Sequence, residues 1–307
     1  NMRDVAVTDG DRVESEIHFG WNVNYYGIGD LIDIINEVTD SEIDAKINEY
    51  NSLYIMDTDN LESVREQAKY EVALEKFLKD KSISAFTDTF EDLHGLKQLP
   101  GLAVQNIMKN GVGFGPEGDY KTSALGAVLS KMAEGRNGAT GFTEDYTYDL
   151  TDGEELELAS HMLEVSPVFA ETKPKIQVHP LSIGGKEAPA RLVFDGIKGE
   201  GIAVSLVDMG NRFRLICAKI ELVNQPEEMP KLPVARLMWK LKPDFKTGAA
   251  AWIYAGGAHH AVVSTCLTVE DIRLFAKFTD TELVVIDEKT DLITFEQNLK
   301  LLDMLSK

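Results

Sequence analysis

His259 and His260 stand side by side, and two adjacent imidazoles are the strongest hint of chemistry in this sequence. They follow Gly256-Gly257-Ala258 and lead into the apolar run Ala261-Val262-Val263. Glycines let a backbone bend or approach another group closely. In extended chain the two rings point to opposite faces, so only one readily enters a given site. One exposed and one hydrogen-bonded histidine is the plainer account of the pair. His161 lies in Leu158-Ala159-Ser160-His161-Met162-Leu163-Glu164-Val165. On a strand it shares an apolar face with Ala159, Leu163 and Val165, where an imidazole needs a polar partner or a metal ion. His18, His94 and His179 complete the six histidines.

Two glutamates have suggestive settings. Glu117 lies in Gly113-Phe114-Gly115-Pro116-Glu117-Gly118-Asp119-Tyr120-Lys121-Thr122, just ahead of a predicted helix. The glycines with Lys121-Thr122 invite a phosphate-loop reading, but the lysine is not adjacent to Gly118, and Glu117 and Asp119 would repel a phosphate. That reading is rejected. Helix capping is the ordinary role of such a carboxylate. Glu144 sits in Phe142-Thr143-Glu144-Asp145-Tyr146-Thr147-Tyr148, where alternation puts Glu144, Tyr146 and Tyr148 on one face. Two carboxylates and two imidazoles suit Mn²⁺, Co²⁺ or another divalent ion of intermediate softness where they converge. Spacing alone does not bring them together, because the sequence carries no HExxH or CxxC cluster.

The elements that must position these groups change character along the chain. Up to residue 133 strands and helices alternate: a strand at Val5 to Thr8, helices at Leu31 to Val38, Ile43 to Leu53 and Leu61 to Lys79, a strand at Ile83 to Phe90, and helices at Leu99 to Lys109 and Lys121 to Ala133. This pattern predicts an α/β fold class, with a Rossmann-like layer on a mainly parallel sheet in the N-terminal part. Glu134-Gly135-Arg136-Asn137-Gly138 has no apolar periodicity and marks a boundary, giving domains at 1–135 and 136–307. Beyond it strands are predicted at Phe142 to Leu150, Leu156 to Val165, Ala190 to Phe194, Ile202 to Val207, Phe213 to Val223 and Ala249 to Tyr254. Helices are predicted only at Val234 to Leu241, Val269 to Phe278 and Phe295 to Leu305. The C-terminal part is therefore strand-rich, antiparallel or mixed, with a few helices.

Composition excludes several partners. Lys plus Arg total 31 against 51 Asp plus Glu, a formal net charge of −20. Such a surface repels phosphate backbones and anionic lipid, so neither nucleic acid nor a membrane is an expected partner. Acidic runs such as Glu154-Glu155 and Glu227-Glu228 are most simply solvated. No run approaches the ~18 apolar residues of a membrane span. Cys217 and Cys266 sit in apolar segments and read as buried free thiols of a cytoplasmic protein. A chain that opens on Asn1 and runs at once into a core-like strand is expected to be a fragment or a processed product.

Several long segments carry a resemblance. They are Thr87-Asp88-Thr89-Phe90-Glu91-Asp92-Leu93-His94-Gly95-Leu96-Lys97-Gln98-Leu99-Pro100-Gly101, Glu117-Gly118-Asp119-Tyr120-Lys121-Thr122, Glu144-Asp145-Tyr146-Thr147-Tyr148, Ser160-His161-Met162-Leu163-Glu164-Val165, Ile183-Gly184-Gly185-Lys186 and Gly256-Gly257-Ala258-His259-His260. In order and over essentially the whole chain, these resemble the L-arabinose isomerases of the fucose and arabinose isomerase superfamily. The resemblance covers that family's central and carboxy-terminal domains, starting a little inside the central one. It implies divalent-metal ligands at Glu117, Glu144, His161 and His260, with His259 as their neighbour in the substrate pocket beside Phe90, Met162 and Ile183. The implied reaction is the aldose–ketose interconversion of L-arabinose and L-ribulose through a cis-enediol. D-galactose to D-tagatose is the implied side activity, and Glu117 and Glu144 the implied proton-transfer groups.

The resemblance also implies a homo-oligomer, hexameric in the intact family, in which a neighbour's amino-terminal domain contacts the sugar. Without that domain the chain is expected to bind Mn²⁺ and to turn over sugar poorly. Two rival readings stand beside this one. The first is an isomerase of another sugar, such as L-fucose or D-galactose. The second is a sugar- or metal-binding protein without catalysis, whose expected mark is replacement of one glutamate by an amide.

Overall fold

The computed structural model describes residues 8–181, 183–226 and 228–306. The strand predicted at Val5 to Thr8 lies outside them, apart from Thr8, which is buried in a turn. The first half is helical, and most of its helix starts are specified locally. Helix α1 spans Arg12–Phe19, with the Asp11 side chain accepting from the Val13 and Glu14 amides. Helix α2 spans Ile28–Glu37. Helix α3, Asp40–Leu53, opens on a reciprocal cap between Thr39 and Glu42. Strand β1, Ile55–Met56, precedes helix α4, Leu61–Asp80, whose Val64, Ala68 and Val72 are buried as their spacing predicts. Strand β2 (Ala85–Phe86), helix α5 (Gly101–Lys109), strand β3 (Gly113–Phe114) and helix α6 (Tyr120–Met132) complete this half.

Its strand pairings are parallel: β2 runs beside β3, and β1 beside β6 (Lys175–Val178), which in turn pairs antiparallel with β7 (Ala190–Val193). The strand predicted over Ile83 to Phe90 shrinks to Ala85–Phe86, because from Thr87 the chain enters a turn-rich segment leading to α5.

The second half is built on strands β4 (Thr140–Asp149), β5 (Leu156–Ser160), β8 (Gly199–Asp208), β9 (Phe213–Val223), β10 (Leu237–Leu241), β11 (His260–Ser264) and β12 (Glu282–Ile286). Helices α7 (Phe245–Ala255), α8 (Val269–Phe278) and α9 (Leu292–Leu305) complete it. The sheet order is β10-β5-β4-β11-β8-β9-β12, and β9 also pairs with β10. Strand β9 is long enough to serve two neighbours on one edge: Arg214 to Ala218 pair parallel with β12, and Ile220 to Val223 pair antiparallel with β10. The pairing of β9 with β10 closes β10, β5, β4, β11, β8 and β9 into an antiparallel barrel, which leaves these strands little free edge. Alternation then assigns each residue to the barrel's interior or its outer wall.

Three predictions are overturned. Ala249 to Tyr254 belongs to helix α7, capped by Asp244 on the Thr247 amide and ended at Gly256 with φ 87°. Its buried Gly248, Ala251 and Ala255 follow the helical period, while Trp252, Ile253 and Tyr254 mimic a strand. Val234 to Leu241 holds strand β10 instead of a helix. Leu237, Met238 and Trp239 are all buried between β5 and β9, so the alternation that identifies a half-exposed strand is missing. The strand predicted over Leu156 to Val165 ends at Ser160. His161 therefore lies just past a strand end, not on a strand face shared with Leu163 and Val165.

Candidate metal centre

Strand register places three residues in a row on the outer wall of the barrel. His260 pairs with Glu144, and Glu144 pairs with Ser160, across β11, β4 and β5. Paired residues present their side chains on the same face, so the last position of β5 delivers His161 beside Glu144. Its Nε2 is 3.8 Å from Glu144 Oε2. Phe142, two residues before Glu144 on the same face, holds the two imidazoles in place. Its ring meets His161 edge-on at 5.4 Å and His260 at 5.2 Å, and the two histidine rings are 6.1 Å apart.

The alternation predicted for Glu144, Tyr146 and Tyr148 holds only in part. A bulge between Asp145 and Thr147 shifts the register, so Tyr148 pairs with Glu157 and turns to the barrel interior, where its hydroxyl donates to Asp145. Tyr146 stays on the Glu144 side and donates to Met162 Sδ at 3.1 Å.

Glu117 arrives from the other half of the chain, in the turn between β3 and α6. Its φ of 62° is left-handed, a conformation costing a non-glycine residue roughly 1–2 kcal/mol and common where function demands a particular side-chain direction. The turn is pinned by the Gly118 amide donating to the Asp88 carbonyl at 3.2 Å and by Asp119 to Pro116 at 3.0 Å. Gly115 has no alternative there, because a Cβ on it would lie 2.5 Å from the Asp119 carbonyl oxygen. The helix cap is Asp119 rather than Glu117, which is left free to face the barrel. Glu117 Oε2 lies 3.4 Å from His259 Nε2 and 3.8 Å from His260 Nε2. Among the described residues these three form the one tight group of metal-type donors, their ligand atoms all within 4.8 Å of one another. Glu144 and His161 form the adjoining pair.

Two further carboxylates orient the imidazoles. Asp119 receives His260 Nδ1 at 3.0 Å while capping α6 through the Thr122 amide and hydroxyl, at 2.9 and 2.8 Å. Glu164 receives His161 Nδ1 at 2.5 Å. Both contacts leave Nε2 to face the site, the arrangement by which a carboxylate hydrogen-bonded to Nδ1 orients a metal-binding histidine. His260 Nε2 is buried with no hydrogen-bond partner, and an orphaned buried acceptor is costly unless something else fills it. Burial holds His260 below its ordinary pKa, which keeps that lone pair available. His161 is pushed the other way: burial opposes its charging, but Glu164, Glu144 and Glu117 outweigh it. The hydrogen bond from His259 lowers Glu117, and burial raises Glu144.

Glu117, His259 and His260 are close enough together to share a divalent ion, and the pair Glu144 and His161 stands beside them. Ligand bonds of ~2.1 Å put donors about 3.0 Å apart at right angles and about 4.2 Å apart when opposed. Both 3.8 Å carboxylate–imidazole spacings fall between these limits.

The remaining expected positions are Met162, His259, Phe90 and Ile183. Met162 follows His161, and His259 sits at the rim between the outer wall and the barrel interior. Phe90 and Ile183 are half-buried on segments that run together, since a Cβ on Gly184 would stand 3.7 Å from the Phe90 carbonyl oxygen. Asp119 and Glu164 had no role in the sequence reading. Their signals were a cap position three residues ahead of Thr122 and an i+3 spacing from His161.

Comparison with known proteins decides the family. Residues 1–135 match the L-arabinose isomerase central domain, and residues 139–282 match the L-arabinose isomerase C-terminal domain. The chain belongs to the L-arabinose isomerase family. It is 53% identical over 302 residues to the L-arabinose isomerase of Thermotoga petrophila and 52% identical over 306 residues to that of Geobacillus stearothermophilus. The Thermotoga maritima L-arabinose isomerase is 52% identical over 302 residues. Each alignment covers 98% of this chain and 61% of the relative, so the chain spans about three-fifths of the length of the curated L-arabinose isomerases it matches. The two matched regions meet at the site: the first contains Glu117 and Asp119, the second Glu144, His161, His259 and His260.

Proposed function

We propose that this chain is the metal-binding, proton-transferring part of an aldose–ketose isomerase that interconverts L-arabinose and L-ribulose, with D-galactose to D-tagatose as a side activity. The observation that carries the reading is the convergence of Glu117 from the turn before α6 with the β11–β4–β5 row, around an imidazole nitrogen that is buried and unpaired. Glu117, Glu144, His161 and His260 hold one divalent ion, Mn²⁺ or Co²⁺, and His259 stands beside it. Retention of both glutamates, with neither replaced by an amide, favours an enzyme over a binding protein.

A bound divalent cation supplies Lewis-acid polarisation of the sugar carbonyl, which acidifies the neighbouring C–H. The rest of the chemistry belongs to the chain. His259 hydrogen-bonds Glu117 at 3.4 Å and lowers its pKa. Glu117 and Glu144 together pass protons between carbon and oxygen as the cis-enediol forms and collapses. Asp119 and Glu164 fix the imidazole orientations. Phe90, Met162 and Ile183 supply the apolar side of the sugar pocket.

In the same reading the division near residue 135 separates two domains, and the site draws on both. The protein is cytoplasmic and homo-oligomeric, hexameric when complete; among the described residues no helix is long and apolar enough to cross a membrane. The relatives' remaining length contributes to the sugar site, so these 307 residues alone turn over sugar far more slowly than a full-length relative.

Exchange of the C2 proton of L-arabinose with D₂O tests the proposal. Exchange that requires Mn²⁺ and is lost in Glu144→Gln and Glu117→Gln supports it. Exchange indifferent to chelation contradicts it.

A further inference from the structure

The barrel's interior holds a cavity of about 190 Å³, on the face opposite the glutamate–histidine row. Its position follows from alternation: Thr143 and Asp145 flank Glu144 on β4, and Ala261 follows His260 on β11, so all three face inward. Small residues at Ala203, Ala218 and Ala261 leave the space unfilled, and helix α7 covers it with Ala249 and Trp252. Such a space lies below the ~300–1,000 Å³ of drug-sized sites and suits a molecule of only a few heavy atoms.

The lining is not that of a plain packing defect, which would be apolar. Trp239 and Glu157 are cross-strand partners on β10 and β5 and both face the cavity. Trp239 is 2% exposed, and its Nε1 has no hydrogen-bond partner in good geometry. The neighbouring Glu157 carboxyl is the acceptor nearest the indole N–H and is lowered by it against burial, but the contact falls short of a well-aligned hydrogen bond. A buried N–H left unpaired costs on the order of 1–3 kcal/mol, so the cavity is shaped for something that accepts. Trp252 spends its own N–H on the Ala258 carbonyl at 3.0 Å and offers its ring to the space. Gly257 permits that placement, since a Cβ there would lie 2.2 Å from Trp252 Nε1.

The groups select a chemical class. Among the described residues no lysine or arginine lines the cavity, while Asp145 and Glu157 do, so an anion is excluded. An ammonium ion would meet the carboxyls but offers no acceptor to Trp239. A hydroxyl both donates and accepts, and aromatic faces cover the apolar side of a carbon chain. We propose that the barrel interior is a second binding site, for a neutral short polyol, held by Trp239 Nε1, Glu157 and Asp145 and covered by Trp252. Burial and the charge of Asp145 push Glu157 up to about 8, so its carboxyl is largely neutral at pH 7 and matches an uncharged ligand. His259 lines this cavity and also reaches Glu117, so it forms the partition between the two sites.

The test uses the whole chain with 5-fluorotryptophan at its three tryptophans, stripped of metal with EDTA, and glycerol as probe. Stripping the ion separates the result from the isomerase reading. Saturable ¹⁹F shifts of Trp239 and Trp252, with Trp21 unmoved, are expected. Trp239→Phe, which removes the donor and keeps the bulk, should weaken binding about three- to tenfold, the loss of one hydrogen bond. Ala249→Leu, which fills the space from α7 with a good helix former, should abolish binding with the circular dichroism unchanged. Shifts that never saturate, or that move Trp21 equally, overturn the proposal. So does unchanged affinity in either variant.

Discussion

Asp119 and His260 are joined by a 3.0 Å hydrogen bond that ties the first turn of α6 to the first residue of β11. One carboxylate thereby caps a helix from the first matched region and aims an imidazole from the second. If the metal centre is built as proposed, this contact sets its geometry, and the two duties of Asp119 separate under mutation.

Asp119→Asn keeps a good cap residue but gives His260 Nδ1 a weaker, uncharged partner. Affinity for Mn²⁺ should fall 10- to 100-fold, while the melting temperature without metal changes little. Isothermal titration and thermal melting of the same sample check both halves. A large loss of stability with unchanged affinity would show that capping is the only role.

Ion binding should stabilise the chain by mass action. At a hundredfold excess over Kd, Mn²⁺ adds about 2.7 kcal/mol, read as a rise in melting temperature. His260→Gln should remove most of that rise. Equal protection of the variant would place the ion elsewhere.

Glu157 predicts a pH dependence unrelated to the ion. Its folded pKa of about 8 lies above the ordinary value of 4.5, so between those values the folded state holds a proton that the unfolded state has lost. Stability from this group therefore falls as pH rises through that window. Glu157→Gln should be more stable than the parent at pH 8, by on the order of a few kcal/mol. The difference should shrink toward zero at pH 4. Urea melts at the two values check the slope, and a gap that widens on acidification contradicts it.

Close packing of β3 on α6 gives a further mutational contrast. A Cβ on Gly113 would sit 1.9 Å from the Ser123 carbonyl oxygen, whereas one on Gly126 meets nothing nearer than 3.6 Å. Gly113→Ala should cost about 3 kcal/mol or more. Gly126→Ala, inside a helix, should gain up to ~1 kcal/mol. Denaturant midpoints read both, and a tolerated alanine at 113 would refute the packing described.

The contrast between legible and hidden features has physical causes. Helix α8 and strand β9 have the bounds predicted for them, Val269–Phe278 and Phe213–Val223, because each carries the periodicity of its own class. Strand β10 and helix α7 were exchanged for one another, since burial on both faces erases alternation and alanine-rich helices ending in Trp-Ile-Tyr imitate strands. The candidate donors could be named from residue type and family resemblance. Their meeting could not be read locally, because the row of His260, Glu144 and Ser160 depends on register between strands far apart in the chain. Closure of the barrel, and with it the interior cavity, rests on β9 serving both β10 and β12, a tertiary choice that no local pattern announces.

The central claim is that one ion is shared by Glu117, Glu144, His161 and His260. A crystal of the chain soaked in Mn²⁺, with anomalous differences measured at the manganese edge, tests it most directly. One peak within about 2.0–2.3 Å of both glutamate oxygens and of Nε2 of His161 and His260, with His259 outside that distance, is the predicted result. A peak held by Glu117, His259 and His260 alone, with Glu144 and His161 beyond reach, would contradict it.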